Sequence, residues 1–266
     1  MFAAFNVKTD LASLGKISIP AGAKVLQSTA RAARATEMKN NVKKRLASML
    51  NPDGTVNADR VREDWFPDVK CNVFLSHSHD DKKLADVFVD VLNRKFGITC
   101  FVDADVWGYI GTLQRAIDDR WNKGEAGKGY TYEGLMASTA HAHMLLLSAL
   151  ARVMDKCECL MFLNTPESVA TEDAAKGTSK TYSPWIFGEA ALSSIIRRQP
   201  LVRPKVVKGS VTTEDYHEEL PPFEYILPLD HMLPLGSVQL IKWGQTNSNN
   251  ALEALDALYE LTDVSR

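Results

Sequence analysis

Two segments set far apart carry the residue types that could do chemistry: Asn72-Val-Phe-Leu-Ser-His-Ser-His-Asp-Asp-Lys82 and Ser183-Pro-Trp-Ile-Phe-Gly-Glu189. The first reads as a buried strand running into a polar helix start. The second reads as a helix start, with Ser183 as N-cap and Pro184 at the first helical position. Trp185 and Glu189 lie four residues apart and share one helix face, so a carboxylate stands beside a large aromatic ring. Glu189 is thus the candidate catalytic group. Taken alone, the ordinary reading of such a residue is a solvent-exposed glutamate.

The first segment admits three chemistries. Ser78 followed by Asp81 fits a capping box, in which hydroxyl and carboxylate satisfy the free amides of a first helical turn. Those amides and the helix dipole also suit a phosphate. The chain has no glycine-rich phosphate loop, which argues against P-loop and Rossmann dinucleotide sites. His77, His79, Asp80 and Asp81 lack the spacing of a zinc site, and His141 and His143 read as helix surface and core, so no metal site is expected.

These residues need elements to position them. From Cys71 onward, strand-like runs alternate with helical stretches, which predicts βαβ units and a five-stranded parallel sheet. The expected strands are Cys71–Leu75, Ile98–Val102, Cys159–Leu163, Arg203–Val207 and Tyr225–Leu229. Amphipathic helices are expected over Lys83–Lys95, Gly111–Trp121, His143–Met154, Ser183–Arg197 and Asn250–Leu261, with Gly97 as a helix stop. Lys123–Tyr132 and Glu167–Lys180 read as loops, the second long enough to suggest a function. Ligands of an open parallel sheet bind beyond the carboxyl ends of its strands. That rule gathers Ser76, His77, Ser78, Asp103, Trp107, Asn164 and Thr165 at one edge.

Ahead of this region, residues 22–50 place Leu26, Ala30, Ala33, Val42, Leu46 and Met49 at helical spacing, with Lys39, Lys43, Lys44 and Arg45 around the other face. Asn51-Pro-Asp-Gly54 breaks this helix, and Val61–Phe66 forms a further turn ending at Pro67. Residues 1–67 therefore read as an N-terminal helical extension that packs on the main domain or on a second subunit. A membrane-surface helix would carry bulky aromatics, which this stretch lacks.

Composition sets the class. Of 266 residues, 45% are apolar and 24% charged, and the formal net charge is −2, so the chain reads as a globular protein with no electrostatic argument for nucleic acid. It shows neither an uninterrupted apolar run of membrane-span length nor a secretory signal, and the expected compartment is the cytosol. Cys71, Cys100, Cys157 and Cys159 fall in or beside apolar runs without a C-x-x-C pair and read as reduced core thiols.

Val73-Phe-Leu-Ser-His-Ser-His-Asp-Asp-Lys82, then Gly97-Ile-Thr-Cys-Phe-Val-Asp103, then Ser183-x-Trp185-x-x-x-Glu189 resembles the motif series of TIR (Toll/interleukin-1 receptor) domains, and more narrowly the bacterial TIR proteins of Thoeris-type antiphage defence. The resemblance covers residues 68–266, and the Trp-x-x-x-Glu element is its most specific part. It implies a flavodoxin-like α/β fold, five parallel strands with helices on both faces. It also implies cleavage of the nicotinamide–ribose bond of NAD, as substrate with no further cofactor, to ADP-ribose or a cyclic or rearranged form. Glu189 matches the family's catalytic glutamate. Ser76, His77, Ser78, Asp103, Trp107 and Trp185 would line the substrate pocket. A diffusible nucleotide product acting on a separate effector protein, and homo-oligomerisation, follow from the same resemblance. The competing reading is a TIR scaffold that signals by self-association. The loop after Asp103 departs from the family by lacking its usual proline.

Overall fold

The computed structural model describes residues 2–20, 46–65, 70–102, 104–124, 129–173, 178–196 and 225–264. Five strands form a parallel sheet: β1 (Ala3–Lys8), β2 (Val73–Ser76), β3 (Cys100–Val102), β4 (Cys159–Leu163) and β8 (Leu233–Gly236). Their spatial order is β3-β2-β4-β1-β8. Among the described residues the helices are α1 (Leu11–Leu14), α2 (Ala58–Trp65), α3 (Lys82–Phe96), α4 (Ala104–Trp121), α5 (Tyr132–Lys156), α6 (Pro184–Ile195), α7 (Ser237–Gly244) and α8 (Ala251–Leu261).

Side chains alternate across a strand, and in this sheet both sets are apolar, as expected of a parallel sheet covered on both faces. Ala4, Phe74, Leu160 and Phe162 point to one face and pack with Trp65 of α2, Leu113 of α4, Leu146 and Leu150 of α5, and Ile186 of α6. Phe5, Val7, Val73, Leu75, Met161 and Leu163 point to the other and pack with Leu14 of α1, Phe88 and Leu92 of α3, Trp243 of α7, and Leu255 and Leu258 of α8. The molecule is thus an α/β protein with helices on both faces.

Local signals explain the element ends. Gly97 closes α3 in the left-handed region at φ 69°, and its N–H and that of Ile98 return to the carbonyls of Asn93 and Leu92. Ser183 caps α6 by accepting from the Ile186 amide, and Asn250 caps α8 by accepting from the amides of Leu252 and Glu253. α5 is the one helix among the described residues long and apolar enough to cross a membrane by length and composition. It lies beside α4 and contributes Ala142, Leu146, Ala149, Leu150, Val153 and Met154 to the core.

The chain start corrects the expected organisation. Residues 1–67 are not solely a helical extension outside the domain, because Ala3–Lys8 is an interior strand of the sheet, paired in parallel with β4 on one side and β8 on the other. Its brevity, and Asn6 within it, hid it from any periodicity test. The domain therefore draws on the first residues of the chain. Most of the basic helix read over residues 22–50 lies outside the described residues, as do the expected strand Arg203–Val207 and Asp103.

A second correction concerns the far end of the sheet. Tyr225–Leu227 (β7) is not the fifth parallel strand but the edge of a small antiparallel sheet, β5-β6-β7, formed with Thr171–Asp173 (β5) and Thr178–Thr181 (β6). The stretch Glu167–Lys180, read as a surface loop, contains β5 and most of β6. Its strands, three and four residues long and polar, show none of the apolar alternation that marks a strand packed on a core.

Candidate active site

Ser76 is the last residue of β2, opposite Phe162 of β4. Two-residue alternation sets it on the same face as Phe74, the face that carries α6. Its hydroxyl donates to Glu189 Oε2 at 2.5 Å across 113 residues of sequence. Both groups are buried, each only 1% exposed. The ordinary reading of Glu189 as a solvent-exposed glutamate is therefore overturned: the carboxylate sits inside the protein at the carboxyl edge of the sheet.

Helix α6 distributes its residues by face. Ile186 enters the core, and Phe187 stacks on Tyr225 of β7 with ring centroids 4.8 Å apart. Trp185 stacks on His143 of α5, centroids 5.1 Å apart and planes 15° off parallel. His143 is oriented by a 2.7 Å contact between Nδ1 and the Thr139 carbonyl. A carbonyl only accepts, so Nδ1 carries the hydrogen. One turn beyond Glu189, Ser193 Oγ donates to the Ala190 carbonyl and accepts from His231 Nε2, each at 2.8 Å. The hydroxyl has one hydrogen, which the carbonyl takes, so the ring nitrogen is the donor to Ser193.

The rest of the edge is tied together from two strands. Thr165, just past β4, donates from Oγ1 to Asp81 Oδ2 at 2.5 Å. Ser168 Oγ returns to the Leu163 carbonyl at 2.8 Å and accepts from the Thr165 amide at 2.9 Å. The expected capping box is absent: Ser78 and Asp81 make no side-chain cap bond. A 3₁₀ turn, His79–Asp81, intervenes and delays α3 to Lys82, which frees the Asp81 carboxylate to meet Thr165.

The site residues read from sequence are partly brought together. Ser76 and Glu189 touch, His77 is buried beside Ser76 in the chain, and Ser78 is half-buried at the turn. Trp185 lies on the Glu189 helix but turns to His143. Trp107 falls in the first turn of α4. His143 and the Asp81–Thr165 pair were not among the expected substrate contacts. The aromatic at Trp185 and the polar run after β4 are the signals that could have pointed to them. Among the described residues, no group of three or more His, Cys, Asp or Glu is placed to hold a metal ion.

No family is identified by similarity. A scan of protein-family models and searches of curated proteins and of solved structures found no match.

Proposed function

We propose that the chain is an NAD-consuming enzyme of the TIR type, with Glu189 as its catalytic carboxylate. The observation that carries this reading is the buried Ser76–Glu189 contact at the carboxyl edge of a parallel sheet, where such sheets bind ligands. The layout β3-β2-β4-β1-β8 supports the flavodoxin-like part of it over β3-β2-β4, which follow the 2-1-3 order of such sheets, and departs from it where the chain-start strand β1 takes the fourth place.

The chemistry suits a single carboxylate. Nicotinamide in NAD is a cationic leaving group that departs neutral, so the glycosidic bond breaks without a general acid. The ribose C1′ left behind has oxocarbenium character, which an adjacent carboxylate stabilises. Ser76, by donating to one oxygen, fixes the rotamer of Glu189. Water adding at C1′ gives ADP-ribose and a proton, while attack by the adenine or ribose of the same molecule gives a cyclic product. A cyclic, diffusible nucleotide that activates a separate effector in antiphage defence is the role this reading carries.

The burial of Glu189 favours a second reading, in which it is a structural carboxylate held by Ser76 and the domain is a scaffold that self-associates. Incubating purified protein with NAD and identifying products by mass spectrometry separates the two. On the enzymatic reading, Glu189→Gln lowers turnover by about 10²–10³-fold. Turnover indifferent to this substitution removes Glu189 from the mechanism, and no turnover after activation leaves the scaffold.

A further inference from the structure

Cys71 and Cys157 meet at the amino edge of the sheet, the edge opposite to Ser76. Their sulfurs are 3.2 Å apart, although the residues are 86 positions apart in sequence. The register explains the meeting. Val73 of β2 pairs in parallel with Cys159 of β4, and the Glu158 amide donates to the Asn72 carbonyl at 2.8 Å. Cys71 and Cys157 each stand two residues ahead of that pair, outside the strands, and both pack on the face that carries α5. Neighbouring strands run about 4.8 Å apart. That lies within the roughly 4.4–6.8 Å between Cα atoms that a disulfide spans.

We propose that Cys71 and Cys157 are an oxidation site: a dithiol that hydrogen peroxide converts to a disulfide joining β2 to β4. Cys71 is the half-buried member and Cys157 the fully buried one, which assigns their parts. The Cys71 thiolate attacks peroxide, its sulfur takes one oxygen to become a sulfenic acid, and water leaves. The Cys157 thiol then attacks the Cys71 sulfur, the S–S bond forms, and a second water leaves. Two thiols and one peroxide thus give one disulfide and two waters, with two electrons passed to peroxide.

The electrostatics agree with this division. The hydrogen bond from Cys157 lowers the Cys71 thiol below its ordinary range. The same bond, with burial, raises Cys157. The less buried sulfur is therefore the more readily ionised of the two, and the buried one the resolving thiol. Cys100 and Cys159 are buried in the core on the other face of the sheet, away from this reaction. The new bond closes the segment that carries β2, α3, β3, α4 and α5. It constrains the unfolded chain and so stabilises the fold without touching Glu189.

Titrating the reduced full-length protein with hydrogen peroxide, followed by non-reducing peptide mapping, tests this. The expected product is one cross-linked peptide pair containing Cys71 and Cys157, reversible with dithiothreitol, together with a rise of several degrees in the thermal midpoint. Cys71→Ser is expected to abolish both the cross-link and the rise while its reduced midpoint stays close to that of the reduced parent. Recovery of Cys71 as free thiol or as sulfinic acid, or a cross-link to Cys100 or Cys159, overturns the assignment.

Discussion

The Ser76–Glu189 bond carries two separable roles, one in holding the carboxylate and one in the proposed chemistry. A hydrogen bond to a charged group contributes about 1.5–3 kcal/mol. Ser76→Ala removes that donor from a carboxylate only 1% exposed, so a loss of stability in this range is expected in urea unfolding. Glu189→Gln keeps an acceptor in the same place, because its amide oxygen still receives the Ser76 hydroxyl. Its unfolding midpoint should stay closer to the parent's than that of Ser76→Ala, while NAD turnover falls far more. A pair of variants that lose stability equally would make the bond structural alone.

At the scale of elements, β1 decides more than its six residues suggest. It hydrogen-bonds on both sides, and Ala3, Ala4, Phe5 and Val7 are fully buried. Removing residues 1–9 exposes the edges of β4 and β8 and strips apolar contacts from both faces of the sheet. Such a truncation, which still contains all of residues 68–266, is expected to lose cooperative thermal unfolding by circular dichroism. A folded truncation would return the N-terminus to the status of an extension. At the end of α3, Gly97 sits at φ 69° with no atom near the place of a Cβ. Gly97→Ala therefore tests backbone strain alone, and a destabilisation of about 1 kcal/mol is expected in denaturant titration.

At the scale of the whole molecule, the sheet divides two apolar layers, and Cys159 and Tyr259 lie in one of them. Burial pushes the Cys159 thiol up to about 12 and raises the Tyr259 hydroxyl as well. A raised value means that the folded state keeps its proton longer than the unfolded chain does. The stabilisation is then complete below the ordinary thiol range, near pH 8.5, and is lost as the pH rises toward about 12. The thermal midpoint should fall over this window, and Cys159→Ala, though lower at pH 7, should show a shallower fall. Parallel slopes for the two proteins would show that Cys159 is not the responsible group.

Helices α3, α6 and α8, strand β4, the helix stop at Gly97 and the helix start at Ser183 were readable from the chain, because periodicity, capping and φ preference act over a few residues. The likeness to TIR motifs likewise rested on local strings. Strand order was not readable. Nothing near Ala3 announces that it pairs with Cys159, and nothing in Tyr225–Leu227 says that it joins Thr178–Thr181 rather than the main sheet. Those choices depend on contacts between distant segments and on which arrangement buries both faces at once. The same holds for the site: Glu189 was identifiable as a carboxylate at a helix start. Its burial, its bond to Ser76 and the meeting of Cys71 with Cys157 exist only where strand register and helix placement bring separate stretches of chain within reach.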